Sequence, residues 1–273
     1  MKTIRKVLFG LAFLLAAGVM VYSGIQIASV LIDRQESSNA NEKLQEQAVI
    51  QNREESSRII INFNKNHEKA DAPSDPAAET EPAAETVPVR VNFEYLHGIN
   101  KDVAGWIYCE DTPISYPFLQ SPDNNYYLYR LVDGTQNPSG SLFLDFRNQF
   151  DMSDWNSVIY GHNMHDGTMF ASLNEYKKQE YYDAHPVMYL LTPEKQYKVE
   201  LVAGILARAD ASFYDFPVPE DKQEAVVKGW LEASTFKTKT QIQPDDRFVT
   251  LSTCSYEFSD ARYVVIGALR EIE

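Results

Sequence analysis

Cysteine is scarce in this 273-residue chain: Cys109 and Cys254 are the only two. That is too few for a disulfide framework or a four-ligand zinc site. The two could still pair with each other in an oxidising compartment, although Cys109 lies in a strand-like run and Cys254 in surroundings that read as chemistry. Positive charge is short as well, with 25 Lys and Arg against 39 Asp and Glu, a formal net charge of -14. Nucleic-acid binding is therefore disfavoured, because phosphate contacts need clustered cations. Metal-ligand spacing is missing too, since the acids are scattered through loop-like segments, and no metal or other cofactor is expected. The 16 Tyr and 14 Phe favour a sheet-rich fold over a helical bundle.

Charge is absent altogether from Val7 to Ile32, a run of 26 positions, where about 20 apolar residues suffice to cross a hydrocarbon core. Lys2, Arg5 and Lys6 precede it, so the positive-inside rule places residues 1–6 in the cytoplasm and everything beyond Asp33 outside. A cleaved signal peptide is the rival, given Ala16-Ala17-Gly18. The run exceeds the about 7–15 apolar residues of such a peptide, which favours a retained single-pass anchor over 7–32 in the cell membrane. Beyond Arg34 the chain holds 21 basic against 38 acidic residues, or -17, a charge that repels anionic surfaces and suits a soluble extracellular domain, although aiding solubility alone accounts for it better.

Residues 33–88 read as a stalk or linker. Gln35 to Asn66 suits a solvated helix or a flexible tether. His67 to Pro88 is rich in Ala, Pro, Glu and Thr, and repeats Pro-Ala-Ala-Glu-Thr at 76–80 and 82–86. Such a composition cannot bury a core and predicts extended or disordered chain. From Val89 to Glu273 the texture is that of one folded domain. A short helix is expected from Asn92 to Ile99. Strands are expected at 105–108, 114–119, 141–144, 157–160, 188–191, 197–205, 248–251 and 263–269. That set suggests a closed or nearly closed barrel of about eight strands. Helical interruptions are predicted at Met169 to Tyr176 and, amphipathically, at Pro219 to Ser234, where the second could pack on the barrel wall.

The strongest chemical signal is Thr250-Leu251-Ser252-Thr253-Cys254, followed eight positions later by Arg262. A cysteine at a strand end has a rigid support and an open side, as a thiolate nucleophile requires. Alone, a cysteine fits a small core hydrophobe, which is the reading for Cys109. The second signal is Tyr160-Gly161-His162-Asn163-Met164, with Asp166-Gly167-Thr168-Met169-Phe170 behind it. His162 alone could merely fill a loop, and His165 lies three residues on. His67, His97 and His185 have no comparable context. An arginine that begins an edge strand is usually a solvated charge, and Arg247 and Arg270 fit that description better than Arg262.

The first motif resembles the Thr-Leu-x-Thr-Cys signature of sortases, and the second the histidine loop of their class B. Gly105-Trp106-Ile107, Ser115-Tyr116-Pro117, Asp123-Asn124-Asn125-Tyr126-Tyr127-Leu128 and Gly140-Ser141-Leu142-Phe143-Leu144-Asp145 add to the resemblance in family order across 92–270. It implies a mainly β fold: an eight-stranded sortase-type barrel with a few helices, preceded by the membrane helix and stalk. It also implies a cysteine transpeptidase that cleaves a carboxy-terminal sorting signal after Thr through a thioester and passes the protein to an amine. Cys254 would be the nucleophile, His162 the proton-transfer partner and Arg262 the oxyanion stabiliser. Asn124, Tyr160 and Ser252 match positions that line the signal groove.

The implied partners are secreted proteins bearing such signals and a peptidoglycan amine, on lipid II or a cross-bridge. Class B relatives are not expected to need calcium. Pilin polymerisation is an alternative, although a class C enzyme would usually show a lid and a hydrophobic carboxy-terminal anchor, where this chain ends Arg270-Glu271-Ile272-Glu273. A non-catalytic barrel binding peptide or glycan is the alternative from outside enzymology.

Overall fold

The computed structural model describes residues 2–51, 87–211, 214 and 217–272. The predicted extended stretch from His67 to Pro88, and the stalk before it back to residue 52, lie outside the described residues except for Val87 and Pro88.

Helix α1 runs unbroken from Lys2 to Ala48, about 70 Å at a rise of 1.5 Å per residue. Its amino-terminal part is long and apolar enough to cross a membrane, with none of that window buried against protein. The part read as solvated helix or tether is, up to Ala48, helix docked on the domain. Leu44 and Ala48 are buried in a cluster with Val89, Leu96, Trp106 and Leu119. Gln45 Nε2 donates to the Ser115 carbonyl (2.8 Å). Strand β1 (Val49–Gln51) then pairs antiparallel with β2 (Val89–Val91), a two-stranded ribbon that local composition did not announce. Helix α2 (Phe93–Ile99) follows, its first turn capped by the Asn92 side chain, which accepts from Tyr95 N–H.

Eight strands then close a barrel: β3 (Val103–Tyr108), β4 (Ser115–Leu119), β5 (Leu142–Leu144), β6 (Asn156–Tyr160), β7 (Val187–Leu191), β8 (Gln196–Arg208), β9 (Arg247–Cys254) and β10 (Ala261–Ile272). Their order around the wall is β10-β8-β7-β3-β4-β5-β6-β9. All eight predicted strands are present, most of them longer than expected. In β8, Tyr197, Val199 and Leu201 point into the barrel. A bulge opposite Ile266/Gly267 in β10 then turns Val202 and its neighbours towards an outer cluster. That cluster is roofed by α4 (Glu220–Ala233), whose Trp230 stacks on Trp155 with centroids 5.4 Å apart. The amphipathic segment thus covers the barrel wall as its periodicity implied. The stretch at 169–176 is tighter than an α-helix, a 3-10 segment at Ala171–Lys177, and the short α3 (Gln179–Ala184) leads on to β7.

Candidate active site

The pairing of three strands brings the candidate residues to one end of the barrel. Strand β9 runs parallel to β6 with Ser252 level with Tyr160, so both strands deliver their carboxyl ends to the same rim. Strand β10 returns antiparallel to β9 and sets Arg262 directly opposite Cys254. Between them opens a cavity of about 490 Å³, lined among others by Asn124, Tyr160, His162, Ser252, Cys254 and Arg262. All six residues singled out from sequence therefore share one cleft. Strand β10 is bonded on both sides, to β8 and β9, so Arg262 does not begin an edge strand and the solvated-charge reading loses its basis.

Backbone contacts fix the spacing between the histidine loop and the cysteine strand. Gly161 N–H donates to the Ser252 carbonyl (3.0 Å), and its own carbonyl accepts from Thr253 Oγ1 (2.8 Å). A methyl group at Gly161 would lie 2.4 Å from Leu142 and 2.6 Å from Phe170, so only glycine lets β6 pass between those side chains. The loop beyond is closed by Phe170 N–H donating to the His162 carbonyl (3.0 Å), with Gly167 at φ +84°. Asn163 Nδ2 donates to the Cys254 carbonyl (2.9 Å) and thereby ties the histidine loop to the sulfur-bearing residue.

Cys254 and His162 are both half-buried, so each is supported and still accessible. His162 Nε2 lies 2.9 Å from the Leu128 carbonyl. A carbonyl only accepts, so Nε2 carries the hydrogen and Nδ1 is the ring nitrogen left to exchange a proton. His165, its nearest competitor, is exposed and stacks on Tyr256 instead. His97 is occupied with the Val103 carbonyl, and His67 lies outside the described residues. Cys109 and Cys254 are both free thiols. Cys109 is buried beside Tyr176 Oη and the Val187 carbonyl, at 3.7 Å each, and burial pushes its thiol up, away from the reactive thiolate. Arg270 is engaged with Asp246 and Arg247 lies over the Tyr197 ring.

The sequence reading missed the carboxylate beneath the groove. Asp145 is fully buried, and its Oδ2 accepts from Asn124 Nδ2 (3.0 Å), Tyr160 Oη (2.9 Å) and Arg147 Nη2 (2.9 Å). Arg147 Nε closes the fork on Oδ1 at 2.9 Å. The available signal was an acid directly after the buried triplet Leu142-Phe143-Leu144. Burial by itself would raise the Asp145 carboxyl, but the hydrogen bonds from Arg147, Asn124 and Tyr160 outweigh it and hold the group below its ordinary range. Burial and the Asp145 charge push the Tyr160 phenol up, so it stays a donor. Tyr214, from the loop after β8, also lines the cleft and bonds Ser252 Oγ at 2.7 Å. No local pattern marks it. Among the described residues no three His, Cys, Asp or Glu side chains converge as metal ligands.

A carboxyl lowered in the folded state stabilises it above the unfolded-state value, near 3.9, and that contribution fades as pH falls through the folded value. Asp145→Asn is accordingly expected to cost about 2 kcal/mol at neutral pH, the scale of hydrogen bonds to a charged group. The expected drop in Tm is about 4–8 °C, read by calorimetry. The gap to the parent protein should narrow towards pH 3; a gap independent of pH would show that the charge is not its source.

Comparison with known proteins places these features in context. Residues 111–270 match the Sortase domain family. The chain is 36% identical to sortase B of Listeria monocytogenes over 184 residues, covering 66% of this chain and 75% of that one. Sortase B of Staphylococcus aureus is 31% identical over 188 residues, covering 67% and 77% respectively. Among solved structures, a Staphylococcus aureus sortase B–substrate complex superposes with a TM-score of 0.68 at 25% identity, covering 89% of this chain and all of that one. Sortase B from Listeria monocytogenes superposes at 0.59 with 35% identity, over 65% of this chain and all of that one.

Proposed function

This chain belongs to the sortase family, as a cysteine transpeptidase of the class B type, and from that premise we propose that it cleaves a carboxy-terminal sorting signal after Thr and joins the protein to an amine of cell-wall peptidoglycan. The observation that carries this reading is the meeting of Cys254, His162 and Arg262 around one cleft, with Arg262 opposite Cys254 across a strand pair. In the proposed reaction the Cys254 thiolate attacks the Thr carbonyl carbon. A carbon–sulfur bond forms and the carbonyl electron pair moves onto oxygen, facing the Arg262 guanidinium. Collapse breaks the carbon–nitrogen bond while His162 gives a proton to the leaving amine. The acceptor amine then attacks the thioester, passes its proton to His162 and releases the thiolate. Asn124, Tyr160 and Ser252 contribute an amide and hydroxyls that can hold an extended peptide backbone.

The apolar part of α1 supports a single-pass anchor, and Lys2, Arg5 and Lys6 before it support an amino terminus in the cytoplasm with the barrel outside. The enzyme would then stand where secreted substrates emerge.

The reading is tested by incubating the protein with a pentapeptide library and an amine acceptor such as a peptidoglycan cross-bridge peptide. A product joined through a Thr carbonyl to the acceptor nitrogen is expected in the mass spectrum; complete absence of cleaved peptide would overturn the reading. Within that assay, Arg262→Ala should lower kcat by the ~10²–10³-fold typical of a lost oxyanion donor. A full rate in that variant would remove Arg262 from the mechanism.

A further inference from the structure

The membrane end of α1 does not stand apart from the cleft. Asp33 and Arg34 are the first residues after the uncharged run. Asp33 meets one loop of the cleft rim through its carbonyl, and the charge of Arg34 is felt at Asp166 in another. Asn137, fully buried, donates from Nδ2 to the Asp33 carbonyl (2.9 Å) and to the Glu36 carboxylate (3.4 Å). Asn137 belongs to the loop that follows Leu128, whose carbonyl holds His162. On the other side, burial would raise the Asp166 carboxyl in the histidine loop, but the hydrogen bonds from Thr168 and, after them, the Arg34 charge hold it down. The helix continues unbroken to Ala48, where Leu44 and Ala48 are locked into the apolar cluster outside β3 and β4. The barrel therefore has little freedom to swing away from the end of the anchor.

The height of the rim follows from helix geometry. Headgroups occupy about 5–8 Å on each side of a 30 Å hydrocarbon core. If the hydrocarbon extends to Ile32, then Asp33 to Glu36 fall within about 6 Å of its edge, inside the headgroup layer. If it begins at Val7 and needs only about 20 residues, it ends near Gln26, and Asp33 stands about 10 Å further out, just beyond that layer. In either case the loop touching Asp33 lies within the headgroup layer or just above it. Beside Asp166 the surface is aromatic. Tyr256, 71% exposed, stacks on the exposed His165 with ring planes 7° apart and centroids at 6.5 Å. Amphipathic rings of this kind are enriched where membrane meets water.

We propose that the cleft rim formed by the His162–Thr168 loop and the loop carrying Tyr256 rests in the headgroup layer of the bilayer that α1 spans. The proposal rests on the anchor reading given above. Its partner is the lipid surface itself, argued from continuity with the anchor. The catalytic cleft then opens at the membrane plane, within reach of substrates still attached there.

Brominated-lipid quenching tests this in the full chain reconstituted into phosphatidylcholine vesicles, with bromines placed either near the headgroup end or near the middle of the acyl chain. Tryptophan is introduced singly as Tyr256→Trp, as Leu14→Trp within the apolar run, and as Glu194→Trp on the β7–β8 turn at the opposite barrel end. The fluorescence of Trp106, Trp155 and Trp230 in the parent chain is subtracted. Expected is strong quenching of Leu14→Trp by deep bromines, and quenching of Tyr256→Trp by shallow bromines several-fold above that of Glu194→Trp. Quenching of Leu14→Trp with Tyr256→Trp no different from Glu194→Trp would overturn the resting rim and leave the anchor standing. Absence of quenching at Leu14→Trp would overturn the anchor, and the rim with it.

Discussion

Cys254→Ala is expected to lower transpeptidation by about 10⁴-fold or more, the scale on which loss of a covalent nucleophile is felt. A fluorogenic sorting-signal peptide reads the rate, and intact-protein mass spectrometry reads the acyl-enzyme, which should vanish. The substitution leaves the scaffold alone, because the contacts that Cys254 makes to its surroundings run through its backbone: the β10 pairing opposite Arg262 and the carbonyl that accepts from Asn163. An unchanged melting curve is therefore expected beside the lost rate. Cys109→Ala is the internal control. That thiol is buried against Tyr176 and does not line the cleft, and its replacement should cost some stability while sparing turnover. Equal turnover by Cys254→Ala and the parent chain would end the transpeptidase mechanism assigned here.

The second large effect is expected at His162. Removing a positioned general acid–base typically costs 10²–10⁴-fold, and His162→Ala should fall in about that range in kcat. His162→Gln sharpens the test, because a glutamine amide can still donate to the Leu128 carbonyl that the ring now engages at 2.9 Å but cannot shuttle a proton. If proton transfer is the role, Gln is as impaired as Ala; if the residue merely props the loop, Gln recovers most of the rate. His165→Ala should leave turnover near the parent level, since that ring faces Tyr256 and solvent. In the His162→Ala/Cys254→Ala double variant the two losses should not multiply, because the groups act on the same reacting carbonyl.

Much of the barrel was legible locally. The eight strands announce themselves through alternation and β-branched or aromatic content, properties of a few adjacent residues. Even the amphipathic face of α4 carried its own period. The limits of local reading are equally clear at particular places. Residues 35–48 look polar enough for a solvated helix, yet Leu44 and Ala48 are buried, because two apolar side chains one helical turn apart suffice to dock a helix on a ready surface. The β1–β2 ribbon joins segments separated by the whole linker. Asp145 was visible as part of a motif, but its hold on Asn124 and Tyr160 depends on the loop after β4 and the end of β6 meeting the segment after β5.

The chain's own order of residues was enough to mark an apolar run long enough to span a membrane, an acidic remainder, a β-rich core and two short motifs with the side chains that thiol chemistry needs. Their meeting at one cleft comes from elsewhere, from the parallel pairing of β6 with β9 and the return of β10. That pairing closes a gap of 92 positions between histidine and cysteine. It also turns an apparent edge arginine into a cleft wall and seats a buried carboxylate beneath the groove. Hydrogen-bond register between distant strands sets such distances, and register depends on which surfaces meet when the barrel closes, a condition no short stretch of sequence encodes.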